Sequence, residues 1–310
     1  MRKIAIAADI LCLGGLTIDI HGTSHELKEG QHPTQLDELK ESFGGRGANF
    51  LMFSRIFDVD TLLVGPAGSD FAAKGYHEYL SSAGADTSGL FQCKSSKVPI
   101  TYSFNDNQDS RNFFYGTYLG KDSDAYIKHA MGFVKNSKYS ALYATSGTQK
   151  LNELALATSK TLNFYAPAHE TAYHTTDSIV RCLRNTDFLL LNEKEAEVLQ
   201  EKLCCNASRL QLMFGIKAVI VTRGSKGSMI YTNSDAISIP AYKPKAVVGT
   251  TGTGDAYAAA FIASYLKTGD IVRSAYIASA TASFVVEKLG CQSNIPRIAD
   301  VMERMRKQNR

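Results

Sequence analysis

The chain has 310 residues, of which 44% are hydrophobic and 21% charged, a composition that is typical of globular proteins and gives no sign of long disordered segments. The net charge of +4, from 34 basic and 30 acidic residues, gives no case for nucleic-acid binding, although a mild positive charge suits an anionic cosubstrate. No apolar run approaches the roughly 20 residues of a membrane span. We therefore expect a cytoplasmic protein without nucleic-acid or membrane partners, whose 6 cysteines stay reduced because they lack Cys-x-x-Cys spacing.

Short β-rich apolar runs alternate with helical patterns along most of the chain. This alternation predicts an α/β domain over residues 1–310, with a mainly parallel sheet covered by helices on both faces. The predicted strands cover residues 4–12, 61–65, 141–145, 161–165, 188–191, 218–221 and 228–232. The predicted helices cover residues 47–56, 72–83, 124–135, 175–184, 193–203, 256–268 and 271–287.

Two segments, residues 16–42 and 98–118, break this alternation. Alternating and aromatic-rich patterns surround the polar turn Asn105-Asp-Asn-Gln-Asp109 and predict strands with a hairpin. We interpret them as a small sheet that stands apart from the main one and acts as a lid, because a lid above the strand ends would exclude water. Exposed edges of a small sheet favour association, so we expect a homodimer through the lid.

Two motifs in the first fifty residues are suited to binding hydroxyl groups. Asp19 follows the predicted first strand, at the carboxyl edge where open α/β sheets bind ligands, and an ionised aspartate there accepts hydrogen bonds from a diol. A solvated turn aspartate explains the residue equally well. In Phe43-Gly-Gly-Arg-Gly-Ala-Asn49, the glycines Gly44 and Gly45 allow close approach of the backbone to a ligand, and Asn49 can bind hydroxyls. A turn followed by a helix start is the alternative.

The sequence Leu189-Leu-Leu-Asn-Glu-Lys-Glu195 ends a predicted strand and opens a helix. It has the pattern of a capping box, with Asn192 as the N-cap and Glu195 reaching back to it, and the sequence alone favours this structural interpretation. The functional alternative is that the pair holds a hydrated Mg²⁺ near phosphate oxygens.

Residues 219–228 read as a strand, a glycine turn and a second strand. A plain β-hairpin explains this pattern, and so does a hairpin whose Thr222, Gly224 and Gly227 contact a nucleotide. The 7 histidines show no metal-ligand spacing.

The stretch Val247-Val-Gly-Thr-Thr-Gly-Thr-Gly-Asp-Ala-Tyr257 is a threonine-rich, glycine-broken turn that runs into an apolar helix. Unpaired N–H groups at a helix N-terminus attract anions, so the turn predicts a phosphate site. A carboxylate at Asp255 repels phosphate, but it makes sense as the base for a hydroxyl that attacks phosphorus. A Walker loop has lysine where this chain has Asp255, and the spacing of a dinucleotide fingerprint is also absent. A strain-relieving turn with an aspartate that favours the helix dipole is the alternative.

In their order along the chain, these motifs resemble the ribokinase family of carbohydrate and nucleoside kinases, also called the PfkB family. The resemblance covers essentially the whole chain and implies a three-layer α/β sandwich with a mainly parallel central sheet and a small β-sheet lid. The segments Ala280-Thr-Ala-Ser-Phe-Val-Val-Glu287, Gly290-Cys-Gln-Ser-Asn-Ile-Pro296, Phe113-Phe-Tyr115 and Gly224-Ser-Lys-Gly-Ser228 look most like archaeal nucleoside kinases, which are related to adenosine kinases.

The resemblance implies a role for each motif. Asp255 would deprotonate the acceptor hydroxyl, and the backbone N–H groups around it would stabilise the phosphoryl group in flight. The other implied residues are Gly252, Thr253 and Gly254 for this anion hole; Asp19, Gly44, Gly45 and Asn49 for the acceptor; Asn192, Thr222, Gly224 and Gly227 for ATP; and Glu195 for Mg²⁺ through water.

Three positions depart from the family pattern. Gly249 stands where the family commonly has Asp, which puts an adjacent monovalent-cation site in doubt. Ala166-Pro167 stands where many members have Asp-Pro, and Thr253 replaces the usual Ala in a site that depends on the backbone.

The expected function is transfer of the γ-phosphoryl group of ATP to the 5′-hydroxyl of a ribonucleoside, with Mg²⁺. A sugar kinase for a ribose- or fructose-like substrate is the alternative within the family, and a non-catalytic nucleoside-binding protein is the alternative outside it. Asp255 favours the enzyme, because a protein that only binds has no need of a base beside a phosphate. Lid aromatics are candidates for stacking on a nucleoside base, or for lid core or dimer contacts, namely Tyr102, Phe104, Phe113, Phe114 and Tyr115.

Overall fold

A computed structural model describes residues 6–27, 33–106, 110–116, 119–145 and 148–308. The strands are β1 Ile10–Leu13, β2 Thr17–Thr23, β3 Glu38–Gly44, β4 Thr61–Val64, β5 Pro66–Ala67, β6 Phe91–Gln92, β7 Ile100–Asn105, β8 Ser110–Tyr115, β9 Ala141–Ala144, β10 Leu162–Tyr165, β11 Phe188–Asn192, β12 Ala218–Thr222, β13 Ser228–Tyr231 and β14 Ala236–Ile239. The α-helices are α1 Arg46–Ser54, α2 Tyr76–Ser82, α3 Ser123–Asn136, α4 Gln149–Thr158, α5 Thr176–Leu183, α6 Glu193–Leu203, α7 Ala207–Phe214, α8 Thr253–Thr268, α9 Ile271–Val285 and α10 Ile298–Gln308.

The main sheet has 8 strands in the order β14-β13-β12-β11-β10-β9-β1-β4. The strands from β12 to β4 run parallel, while β13 and β14 close the other edge as an antiparallel hairpin extension. All parallel strands therefore end at one edge, which brings residues that follow different strands close to one another.

Alternate residues of the strands enter two separate hydrophobic cores. Ile10 and Cys12 of β1 pack in the core formed with α1, α8 and α9, whereas Leu11 and Leu13 pack in the core formed with α3, α4 and α5. A sheet buried on both faces explains why the parallel strands are almost continuously apolar. The predicted three-layer α/β sandwich is thus confirmed.

A second sheet of 4 strands has the order β3-β2-β7-β8 and is built from the two segments that break the strand–helix alternation. β2 pairs in parallel with β7, and both outer pairs are antiparallel. The predicted lid sheet is confirmed, although residues 107–109 of its predicted hairpin turn lie outside the described residues.

Several element boundaries differ from those predicted. The helix predicted to start at residue 72 begins at Tyr76, because turns precede it and Gly75 takes a left-handed φ of 74°. The first strand spans Ile10–Leu13 rather than residues 4–12, of which 4 and 5 lie outside the described residues. Helices α4, α7 and α10 and strands β5, β6 and β14 were not predicted; the three helices are short, at 10, 8 and 11 residues. The single domain over residues 1–310 stays a prediction.

None of the described helices combines the length and apolarity needed to cross a membrane.

Candidate active site

Helix α8 starts at Thr253, in the turn for which the sequence predicts an anion site and three residues earlier than predicted. Gly252 caps it with a left-handed φ of 80°, and a Cβ at Gly252 would lie 2.3 Å from Cβ and Sγ of Cys291. Only glycine fits this position without strain. The amides of Thr253 and Asp255 donate to the carbonyls of Thr250 and Gly252 at 3.3 and 3.1 Å. Among the described residues, the amides of Gly252 and Gly254 have no such backbone partner, so they are the N–H groups best placed for an anion.

Asp255 lies in the first turn of α8 and is only 6% exposed. Its Oδ2 accepts a hydrogen bond from Asn49 Nδ2 at 2.8 Å, and its Oδ1 lies 3.2 Å from Nε of Arg46. Burial raises the pKa of Asp255 above its ordinary value, while Arg46 and Asn49 oppose this rise and Glu195 adds to it. The result is a buried carboxylate with an amide donor on one oxygen and a cation beside the other, which suits a group that accepts a proton during a reaction.

Arg46 belongs to the glycine motif that the sequence singled out, but its role was missed. Its side chain is 24% exposed, and it approaches Asp255 from the first residue of α1. Burial alone would lower the pKa of Arg46, but the nearby acidic groups, of which Asp255 is the largest contributor, together raise it above its ordinary value. The sequence signal that could have identified Arg46 is a basic residue between the glycines Gly44 and Gly45 and the asparagine Asn49 of the predicted acceptor motif.

Asp19 lies inside lid strand β2 rather than in a turn after β1. It is 3% exposed and accepts a hydrogen bond from Thr17 Oγ1 at 2.6 Å. Burial raises the pKa of Asp19 to about 6, and the charge of Asp255 adds to the rise, so the two carboxylates share one electrostatic environment. The structure therefore brings the predicted acceptor residue and the predicted base to one site.

The glycines of the acceptor motif are required by close packing. A Cβ at Gly44 would lie 1.9 Å from Oδ2 of Asp19, and Gly45 has a left-handed φ of 94°. Tyr76 donates a hydrogen bond to the carbonyl of Gly44 from α2. The predicted residues Asp19 and Gly44 are thus in close contact with each other, and Asn49 of the same motif contacts Asp255.

The segment after α9 also reaches this site, and the sequence marked it only as a family resemblance. Nε2 of Gln292 donates to Oδ1 of Asn49 at 2.9 Å, and Sγ of Cys291 lies 3.4 Å from the carbonyl oxygen of Gly252. No local pattern in the sequence relates a glutamine near the C-terminus to an asparagine 243 residues earlier.

The predicted donor-side residues lie at the ends of neighbouring strands. Asn192 at the end of β11 is paired in register with Thr222 at the end of β12. Asn192 Oδ1 accepts from the amide of Glu195 at 2.8 Å, and Glu195 Oε2 accepts from the amide of Asn192 at 2.9 Å. The capping box favoured by the sequence is therefore present.

The turn between β12 and β13 forms the predicted hairpin. Gly224 and Gly227 have left-handed φ values of 55° and 82°, and a Cβ at Gly227 would lie 2.0 Å from the carbonyl oxygen of Ile239. These glycines have a structural reason to be there, which does not depend on a nucleotide.

Across the described ranges, no three His, Cys, Asp or Glu side chains form a group able to hold a metal ion directly. The predicted metal-side residues Asn192 and Glu195 fit Mg²⁺ only as a hydrated ion, because Mg²⁺ keeps several waters and takes few protein ligands.

Comparison with known proteins assigns the chain to a family. A model of the pfkB family carbohydrate kinases matches residues 7–298 of the chain. The chain belongs to that family. This pfkB family kinase is 29% identical over 300 residues to a nucleoside kinase of Methanocaldococcus jannaschii, covering 96% of this chain and 97% of the relative. It is 26% identical over 305 residues to a ribokinase of Staphylococcus aureus, covering 94% of this chain and 98% of the relative.

Solved structures agree with the fold of this pfkB family kinase. The crystal structure of the Methanocaldococcus jannaschii nucleoside kinase, an archaeal member of the ribokinase family, superposes with a TM-score of 0.83 at 28% identity, covering 98% of this chain and 99% of that chain. A Burkholderia thailandensis nucleoside kinase in complex with inosine superposes with a TM-score of 0.84 at 18% identity, covering 96% and 98% of the two chains. The protein is a phosphotransferase with an alcohol group as acceptor, an ATP-dependent kinase of the nucleoside and sugar kinase type.

Proposed function

We propose that this kinase transfers the γ-phosphoryl group of ATP to the 5′-hydroxyl of a ribonucleoside, with Asp255 as the base. The observation that carries the proposal is the position of Asp255. Its carboxylate lies in the first turn of a helix whose N-terminus suits an anion, accepts a hydrogen bond from Asn49 and has Arg46 beside its other oxygen. Its charge also acts on Asp19 of the predicted acceptor site.

In the proposed reaction, Asp255 accepts the proton of the acceptor hydroxyl as its oxygen attacks the γ-phosphorus. The new oxygen–phosphorus bond forms as the bond from the γ-phosphorus to the bridging oxygen breaks, and ADP leaves. The N–H groups of Gly252 and Gly254 stabilise the charge on the transferring group. A base of this kind contributes on the order of 10²–10⁴ in rate.

Mg²⁺, when bound, would neutralise charge on the ATP phosphates. The capping box uses Oε2 of Glu195, so we propose that its Oε1 and the Asn192 side chain hold the hydrated ion. Thr222, Gly224 and Gly227, at the end of the neighbouring strand, would contact the nucleotide.

The lid supports a nucleoside as acceptor. Phe114 of β8 is paired in register with Thr101 of β7, and Thr101 is paired with Asp19. Because directly paired residues project on the same side of a sheet, Phe114 lies on the Asp19 face. Phe113 and Tyr115 lie on the opposite face. We propose that Phe114, which is 43% exposed, stacks on the nucleoside base.

We propose a homodimer through the lid, and the outer face of the lid sheet supports this proposal. Leu39, Phe113 and Tyr115 are 63%, 56% and 70% exposed, and β3 and β8 are the edge strands of the lid sheet. A monomer in sedimentation at high protein concentration would contradict this. A cytoplasmic location also stays a prediction.

An ADP-release screen with ATP, Mg²⁺ and a panel of nucleosides and sugars tests the function. We expect nucleosides to stimulate ADP release, Asp255→Asn to abolish it, and Asp235→Asn on the exposed β13–β14 turn to leave it unchanged. Turnover of sugars alone would favour the sugar-kinase alternative, which the Staphylococcus aureus ribokinase relative supports. Full turnover by Asp255→Asn would refute the assigned base.

A further inference from the structure

Three side chains from distant segments form a hydrogen-bonded chain that ends on the proposed base. Gln292, in the turn after α9, donates from Nε2 to Oδ1 of Asn49 at 2.9 Å. Asn49, on α1, donates from Nδ2 to Oδ2 of Asp255 at 2.8 Å. Asn49 and Asp255 are 3% and 6% exposed, so water competes little for these bonds.

The chemistry of the groups fixes the direction of this chain. An ionised carboxylate only accepts hydrogen bonds, so Asn49 must turn its NH₂ group toward Asp255. Its Oδ1 then points away and needs a donor, and among the residues that the structure describes the NH₂ group of Gln292 supplies it. The Oε1 of Gln292 is left over, and it is buried without a hydrogen-bond partner among the described residues. Burying this acceptor without a hydrogen bond costs free energy, and the cost arises because both amides are oriented with their NH₂ groups toward the base.

We propose that Gln292 is a positioning residue, which holds the Asn49 amide in the orientation that keeps Asp255 ionised and aligned. This inference rests on the proposed function, in which Asp255 is the base. If the Asn49 amide rotated by half a turn, its Oδ1 would face a carboxylate oxygen at hydrogen-bond distance, and two acceptors in contact repel. Asp255 would then gain a proton more readily and lose its function as a base.

The turn that carries Gln292 is itself fixed on both sides. Nδ2 of Asn294 donates to the carbonyl oxygen of Phe284 at 2.7 Å, and Nζ of Lys40 donates to Oγ of Ser293 at 3.1 Å. The backbone at Gln292 is therefore held between α9 and the lid, which lets its side chain act as a rigid support.

Other titratable and charged groups around Asp255 come from several elements. Those whose charges act on it, or that respond to its charge, are Arg46 on α1, Glu195 on α6, Asp19 on β2, Cys12 on β1, Tyr143 on β9 and Cys291 in the same turn as Gln292.

The test is Gln292→Glu, which keeps the shape of the side chain but removes its ability to donate once it is ionised. The pKa of Asp255 is measured by carbon-13 NMR of aspartate carboxyls, with Asp255→Asn to assign the signal. We expect the pKa of Asp255 to rise by about one unit, and the acid limb of the kcat profile to move by the same amount, so that kcat falls about tenfold on that limb. KM for ATP should not change.

Because Gln292→Glu also adds a charge, the same substitution is made in an Asn49→Leu background. In the Asn49→Leu background we expect no rise in the pKa of Asp255, because the hydrogen bond that connects residue 292 to Asp255 through Asn49 is absent. An equal shift in both backgrounds means direct electrostatics and overturns the proposal, as does no shift in either. Should Gln292→Glu not fold, Gln292→Met must give a smaller rise in the same direction, and no rise overturns the proposal. The NMR titration tests the positioning role of Gln292 independently of turnover. Turnover by Asp255→Asn would instead refute Asp255 as the base.

Discussion

Nε of Arg46 lies 3.2 Å from Oδ1 of Asp255, so a cation from the glycine motif of α1 neutralises the carboxylate at the start of α8. The carboxylate is 6% exposed and would be costly to ionise alone. Arg46 and Asn49 together stabilise the charged form from one helix. The acceptor motif therefore has a second task, which is to keep the proposed base ionised in a buried site.

We predict that Arg46→Gln lowers kcat and moves its acid limb to higher pH. Burial already raises the pKa of Asp255, and Arg46 is the strongest group that opposes this rise. A carboxyl whose folded pKa lies above its unfolded value loses stability as the pH increases through that window. Urea unfolding of Arg46→Gln should therefore show a deficit of about 2 kcal/mol at pH 8 that shrinks toward pH 4.

The control for this prediction is Arg181→Gln. Arg181 forms an ion pair with Glu153 at 2.7 Å, but its side chain is 55% exposed. Removing an exposed pair changes stability by less than about 1 kcal/mol. Equal pH profiles for wild type and Arg46→Gln would show that Arg46 does not act on the base.

Two glycines in the anion-binding turn should respond differently to alanine. Gly252→Ala requires a left-handed φ of 80° and places Cβ 2.3 Å from the Cys291 side chain, so we expect a loss of stability of at least about 1 kcal/mol. A Cβ at Gly254 would meet no atom within 4 Å, so Gly254→Ala should unfold at the wild-type temperature or above.

Gly254→Ala should nevertheless reduce kcat by about tenfold or more, because its methyl group would enter the space assigned to the phosphoryl group. Thermal unfolding and steady-state kinetics on the two variants separate fold from function. A wild-type kcat in Gly254→Ala would contradict the assignment of the phosphoryl site to the Gly254 amide.

Acceptor binding should depend on the ionisation of Asp19. Burial raises its pKa to about 6, and only the ionised carboxylate accepts two hydrogen bonds from a diol. We expect KM for the acceptor to be constant above about pH 7 and to rise about tenfold per unit below the pKa. Asp19→Asn should raise KM and remove this dependence. Burial, and then the charge of Lys40, lower the pKa of His21, which lies beside Ser42.

The variants Phe114→Ala and Phe113→Ala test the roles of the two faces of the lid separately. Stacking on a base contributes about 1–3 kcal/mol, so Phe114→Ala should raise KM for a nucleoside at least about fivefold. Phe113→Ala, on the opposite face, should leave KM unchanged and weaken self-association instead. The reverse pattern would place the base on the outer face of the lid and contradict the proposed acceptor.

Much of this site could be predicted because its motifs are local. The turn at residues 247–257, the capping box at Asn192 and the hairpin at Gly224 follow from short patterns with a physical meaning. Asp19 was expected as a turn residue after the first strand, and its contact with the acceptor stays a prediction. It lies within a lid strand, because β2 begins only four residues after β1 ends.

The sequence by itself determined the alternation of strands and helices, the separate lid and the residues at the ends of the parallel strands. These features depend on periodicity, turn chemistry and chain order, which act over a few residues. The tertiary structure alone decided that Arg46 reaches Asp255, that Gln292 contacts Asn49 and that Phe114 lies on the Asp19 face of the lid. The first two contacts span more than 200 positions and depend on how α1, α8 and the turn after α9 pack, and the third depends on strand register, in which a shift of one residue would reverse every side chain.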